Sequence, residues 1–273
     1  MKKSFLLLLG VFVILTGVAH PQDNNAPKKE TPTEGEKKAA QTETTFYDIK
    51  VTSNRFIFVI DVSGSMLAAP DGGLAMPTVN RPDLGSLSKP GAKPNLPSIK
   101  EGNNSKLAVA KRELISVINS VSENVAFNIV VFHQEISVWK SEMLRATKEN
   151  KEEAVKWVQD LPVGGGTALY DALKKAFETH IKKEDAETMG LKPVHTPGSK
   201  TTEAIGADTI YLLSDGNPTA GEITKPKELR EKIKEMNKDL KIKINCVDIG
   251  PKPNDLMKGL SEDSKGTYIH KGK

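Results

Sequence analysis

Apolar residues along this chain repeat in two alternating patterns. Nearly unbroken runs occur at Phe56 to Ile60, Phe127 to Phe132 and Ile210 to Leu213. Their length and content suit strands buried on both faces. Between the first two runs, Leu107, Val109, Ala110, Leu114, Val117, Ile118 and Val121 recur at helical spacing. The pattern predicts strands over 55–60, 127–133, 136–140, 208–214, 241–250 and 267–270. It predicts helices over 106–121, 149–161, 168–181, 226–237 and 255–260, with Pro226 opening the fourth. Strands alternating with helices imply an α/β fold, an open, mostly parallel, doubly wound sheet with helices on both faces. Ligands of such sheets bind beyond the carboxyl ends of the strands, where strand order reverses.

The pattern breaks in four places. Residues 1–19 combine Lys2 and Lys3, an apolar stretch from Phe5 to Val18 and the small residues Gly17 and Ala19. This is the layout of a secretory signal peptide, and its apolar stretch is short for a membrane span. Residues 20–45 are rich in Pro, Lys, Glu, Thr and Gln and read as a disordered linker. The domain is then expected over 46–273, with 46–51 as a lead-in segment. An insert at 67–105 holds six prolines and five glycines without a strand or helix period, and a second irregular insert covers 184–207.

Composition narrows the function. The chain has 273 residues, 37% hydrophobic content and a net charge of +4. Its five arginines, Arg55, Arg81, Arg112, Arg145 and Arg230, are scattered. Nucleic-acid binders cluster basic residues and favour Arg, so no nucleic-acid partner is expected. Cys246 is the only cysteine and lies in the alternation Ile242, Ile244, Cys246, where it reads as a core residue. The signal segment, the many lysines and the lack of disulfides point to a bacterial exported protein, secreted or in the periplasm or cell envelope. No membrane span is expected in its mature part.

The candidate chemistry follows the first strand. Asp61-Val62-Ser63-Gly64-Ser65 directs a carboxylate and two hydroxyls beyond the strand tip. Gly64 is expected to let the loop fold back through positive φ or a close backbone approach. Gly164-Gly165-Gly166-Thr167 offers a further hydroxyl, and Ser214-Asp215-Gly216 places a second carboxylate after another apolar run. Oxygen ligands of low formal charge suit a hard divalent cation, Mg²⁺ before Zn²⁺. Each residue taken singly also fits a turn or a cap.

Asp61, Ser63, Ser65, Thr167 and Asp215 together resemble the metal-ion-dependent adhesion site of von Willebrand factor type A domains. The resemblance runs from about Arg55 to His270 and keeps the family's residue types in the family's order. It implies a Rossmann-like fold and Mg²⁺, with Mn²⁺ or Ca²⁺ as alternatives. Ser63 and Ser65 would bind the ion directly, and Thr167 directly or through a water. Asp61 and Asp215 would act through waters and hydrogen bonds. The function implied is adhesion: the ion accepts an Asp or Glu carboxylate from a protein partner. The chain departs from many such domains in ending soon after the last expected strand, without the long C-terminal helix. Helix sliding is therefore not expected.

Other functions find less support. Gly-x-Ser-x-Gly, Gly-x-x-x-x-Gly-Lys-Ser/Thr and Gly-x-Gly-x-x-Gly do not occur, so no nucleophile elbow or nucleotide loop is expected. His133 reads as a strand-end polar residue, and no histidine has a partner at zinc-ligand spacing. No catalytic residue is assigned and the chain is not expected to be an enzyme. The alternative to adhesion is an assembly component of the cell envelope that binds its partner without metal, through apolar residues of the 67–105 insert.

Overall fold

Residues 44–70, 78–79, 99–100, 104–191 and 205–272 are described by a computed structural model. A lead-in hairpin comes first, β1 (Thr45–Phe46) against β2 (Ile49–Lys50). Tyr47 and Asp48 turn it with positive φ at both positions, as a two-residue hairpin turn with the right twist requires. Phe46 is buried against Phe58 and Tyr211, with ring centroids 5.1 and 6.1 Å away.

β3 (Arg55–Asp61) is the central strand, followed by a 3₁₀ turn at Gly64–Leu67. Two short segments, β4 (Thr78–Val79) and β5 (Ile99–Lys100), pair antiparallel. α1 (Lys106–Ser120) leads to β6 (Ala126–Phe132), β7 (Ile136–Val138) and β8 (Leu144–Arg145). α2 (Lys148–Gln159), α3 (Leu169–Phe177) and α4 (Lys183–Thr188) precede β9 (Thr209–Ser214). α5 (Pro226–Leu240), β10 (Lys243–Asp248), α6 (Asp255–Asp263) and β11 (Tyr268–His270) complete the order.

The main sheet runs β11-β10-β9-β3-β6-β7, with β8 also paired to β6. β11, β10, β9, β3 and β6 are parallel, and β7 and β8 are antiparallel to β6. β3 sends its side chains alternately to two cores. Phe56, Phe58 and Ile60 face Leu107, Leu114 and Val117 of α1 and Val158 of α2. Ile57 and Val59 share the other core with Leu169 and Leu173 of α3, Leu229 of α5 and Leu260 of α6. The chain leaves β3 for β6 on one side and later returns to β9 on the other. The strand order therefore reverses at β3, where such sheets bind ligands.

The expected mostly parallel α/β sheet with helices on both faces is the architecture found. Several boundaries differ. The helix expected over 168–181 stops at Phe177, because His180 and Ile181 bridge to Gly206 and Met143 instead. α5 continues to Leu240, and Lys241 closes it in the left-handed region, so the next strand starts at Lys243. The 184–207 insert opens within α4, a six-residue helix with one buried residue, Ala186, too short to leave a period. The 67–105 insert contains paired β4 and β5, two residues each, which its Pro-rich composition conceals. Residues 71–77, 80–98 and 101–103 of that insert, the signal segment and nearly all of the linker lie outside the described residues. Cys246 is fully buried in the second core, and burial pushes its thiol pKa far up. No helix of the described residues is long and apolar enough to cross a membrane.

Phe58 lies within 5.1 to 5.7 Å, ring to ring, of Phe46, Phe56 and Tyr211. Phe58→Ala should cost about 3–5 kcal/mol. Urea unfolding of the two proteins should show the midpoint moving down; an unchanged midpoint would contradict the packing.

Candidate metal centre

Three loops meet beyond the carboxyl ends of β3 and β9. The first starts at Asp61, which is fully buried. Its Oδ1 accepts the Ser63 N–H at 2.8 Å, turning the chain as Asp commonly does two residues ahead. Its Oδ2 accepts the Ser214 hydroxyl at 2.6 Å from the neighbouring strand. The Ser63 and Ser65 carbonyls then accept the Met66 and Ala68 N–H groups at 3.0 and 3.1 Å, and buried Met66 anchors the turn. This geometry sets the Ser63 and Ser65 hydroxyl oxygens 3.2 Å apart.

The second loop is tied to the first through its backbone. Gly164 donates to the Val62 carbonyl at 3.0 Å, and Gly64 to that of Gly165 at 3.3 Å. A Cβ at Gly164 would lie 2.0 Å from the His133 ring, so only glycine fits there. Gly64 differs from expectation. It has no positive φ, and a Cβ there would meet the Gly164 and Gly165 carbonyl oxygens at an ordinary 3.5 and 3.9 Å. The close approach that needs a missing side chain belongs to Gly164. Thr167 is 6% exposed, and its N–H donates to the Thr219 hydroxyl at 3.0 Å. Its carbonyl accepts from Thr219 and Ala220 at 3.0 and 3.3 Å. Among the described residues its hydroxyl has no hydrogen-bond partner, which leaves that oxygen available.

The third loop carries Asp215, the residue after β9. Its Oδ1 accepts the Ser65 hydroxyl at 2.7 Å. Its Oδ2 accepts the Lys106 ammonium at 2.8 Å, in an ion pair whose side chains are 1% and 7% exposed. Lys106 is the first residue of α1, and its own N–H donates to the Ala68 carbonyl at 2.8 Å. The 67–105 excursion thus leaves and rejoins the fold beside the site. Behind Asp215, the end of β10 presses close: a Cβ at Gly250 would lie 2.6 Å from the Asp215 carbonyl oxygen.

The electrostatics follow from burial. Loss of water pushes the Asp61 carboxyl up to about 6, and the negative charge of Asp215 adds to the rise. Hydrogen bonds from Ser214 and Ser63 oppose it without cancelling it. Such a site gains from a cation. The donor set is carboxylate and hydroxyl oxygen, as hard divalent ions prefer. Adjacent corners of a Mg²⁺ octahedron lie about 3 Å apart, close to the Ser63–Ser65 separation. Among the described residues, no three His, Cys, Asp or Glu side chains gather as a softer metal would need.

Of the five residues singled out by sequence, Asp61, Ser63, Ser65 and Asp215 share one hydrogen-bonded group. Thr167 reaches that group through the backbone ties of its loop. Three further residues take part, of which the sequence reading marks only Thr219, as a turn residue. Thr219 holds the Thr167 loop on both its N–H and its carbonyl, beyond stabilising its own turn. Ser214 stands beside Asp61 because Leu213 pairs with Ile60 in the sheet, so strand register reveals it. Lys106 carried a faint signal, since a lysine in a helix's first turn opposes the helix dipole.

A model of the von Willebrand factor type A domain family matches residues 101–269, which include Thr167 and Asp215. Among curated proteins, mouse inter-alpha-trypsin inhibitor heavy chain 4 is 28% identical over 130 residues, 48% of this chain and 12% of that protein. Bovine inter-alpha-trypsin inhibitor heavy chain H3 is 26% identical over 129 residues, 47% of this chain and 13% of that protein. The chain therefore matches only a small part of the length of these relatives. A solved von Willebrand factor type A structure from Catenulispora acidiphila has a TM-score of 0.51 at 18% identity. The match covers 80% of this chain and 38% of that one, and shows likeness of fold.

Asp61 also predicts a pH dependence. Unfolded, its carboxyl loses its proton near 3.8; folded and metal-free, it holds the proton until about 6. Between these values the folded state binds more protons, so the Asp61 contribution to stability falls as pH rises through the window. The loss is at most about 3 kcal/mol. Chelator-treated wild type should lose stability relative to Asp61→Asn between the two ends of the window. Urea unfolding curves whose difference does not change with pH would contradict this.

Proposed function

This chain belongs to the von Willebrand factor type A domain family, and on that premise we propose that it is a metal-dependent adhesion module. Domains of this family are protein-interaction modules, generally metal-dependent. Ser63, Ser65 and Thr167 would hold a Mg²⁺ ion through their hydroxyls, with Mn²⁺ or Ca²⁺ able to replace it. When bound, the ion supplies an electrophilic centre that accepts an Asp or Glu carboxylate from a protein partner. The chain's own residues prepare that centre. Asp215 orients the Ser65 hydroxyl, and Asp61 fixes Ser63 through its N–H and fixes the neighbouring strand through Ser214. Thr219 holds the loop that presents Thr167.

The observation carrying this reading is the chain of contacts from Ser63 to Ser65, 3.2 Å, and from Ser65 to Asp215, 2.7 Å. It joins two loops far apart in sequence through hydroxyl and carboxylate oxygens alone. The carboxylates orient hydroxyls and backbone around one point, and the function proposed is binding. The signal segment at 1–19 supports an exported protein, secreted or in the cell envelope. The 67–105 excursion leaves and rejoins the described fold beside the site, at Ala68 and Lys106.

Titration calorimetry of chelator-stripped protein with Mg²⁺ tests the reading. Wild type should give a saturable heat, and Asp61→Ala and Thr167→Ala should each weaken binding about tenfold or more, with circular dichroism confirming the fold. Equal binding by all three proteins would place the ion elsewhere and end the proposal. Partner binding that survives chelator would instead favour the metal-independent assembly role.

A further inference from the structure

The Lys106–Asp215 pair is not needed to close the fold at this point. The Lys106 N–H to Ala68 bond and the Ser105 cap on Ala108 already fix the start of α1. The ammonium nevertheless lies beside the hydroxyls proposed to hold the ion, 2.8 Å from Asp215 Oδ2, while Ser65 occupies Oδ1. It stands at the helix end where the dipole already favours negative charge, so the position is unfavourable for a lysine except through Asp215. Its side chain is 7% exposed, and both members of the pair are out of water. The charge is therefore little screened.

We propose that Lys106 is a built-in counter-cation that weakens capture of the free metal ion and couples tight ion binding to a partner's carboxylate. The inference rests on the metal-dependent reading above. Two carboxylates, Asp61 and Asp215, and one ammonium give the site a formal charge of minus one. A divalent ion turns that into plus one, and a single incoming carboxylate brings it to zero. Without Lys106 the ion alone would neutralise the site, and a partner's carboxylate would meet a centre with no charge left to satisfy. Lysine here makes the ion a poor ligand alone and a good one in the three-part complex. In such linkage the partner tightens ion binding by the factor by which the ion tightens partner binding.

The test is Mg²⁺ titration of stripped wild type, Lys106→Met, Lys106→Gln and Lys106→Arg. Both neutral variants should bind Mg²⁺ about tenfold tighter or more, since a unit charge a few ångströms from a divalent ion is removed in a poorly screened setting. Lys106→Arg should stay near wild type. Lys106→Gln keeps a donor for Asp215, so it separates the charge from the hydrogen bond and gives a second route should Lys106→Met fold poorly. Repeating the titration in acetate in place of chloride should tighten wild type and leave the neutral variants unchanged. Damage to the fold lowers affinity, so a gain cannot come from a structural role alone. Neutral variants that bind no tighter than wild type would overturn the inference and leave the metal site standing. Absence of Mg²⁺ heat in every protein would overturn the metal reading and this inference with it.

Discussion

Asp61 ends the central strand with none of its surface in water, next to a second buried carboxylate at Asp215. Such groups need partners on every oxygen, and the loops around them are arranged to supply these. The Ser63 N–H and the Ser214 hydroxyl serve Asp61, while the Ser65 hydroxyl and Lys106 serve Asp215. Even so, loss of water keeps the Asp61 proton in place up to about pH 6, because the hydrogen bonds it accepts do not make up for the missing solvent. The sheet explains why the two carboxylates meet. β9 lies beside β3 in parallel, so residues at the carboxyl ends of both strands come to one place.

Close backbone packing holds the loops there. Gly164 passes under the His133 ring, and Gly250 passes against the Asp215 carbonyl, each at a distance no side chain tolerates. The Thr167 loop is bound to Val62 and Gly64 on one side and to Thr219 on the other. The hydroxyls are thus presented by braced backbone, which preserves their spacing before any ligand arrives. Preorganisation of this kind lowers the ordering cost of binding.

Much of this arrangement was legible in the sequence. The unbroken run Phe56 to Ile60, closed by Asp61, marks a strand buried on both faces, and the alternation with helices implies the parallel sheet. The residue types at 61, 63, 65, 167 and 215 pointed to one oxygen-rich site, because each stands just past a strand or beside a glycine loop. Features that depend on tertiary contact stayed hidden. α4 buries a single residue and has no period, and the β4–β5 pair consists of two residues on each side. Lys106 shows in the sequence only as a lysine misplaced in a helix's first turn, and its partner appears once the fold carries it to Asp215, 109 positions away. Gly64 drew the attention that belonged to Gly164, since only the packed structure shows which glycine lies under a ring.

The central claim is that a divalent ion sits among these three loops. Crystals of the stripped protein soaked in Mn²⁺ and measured at the manganese absorption edge test it directly. The account predicts one anomalous peak between the Ser63 and Ser65 hydroxyls, on the side facing Asp215 and Thr167. A peak elsewhere, or none at saturating Mn²⁺, would contradict it.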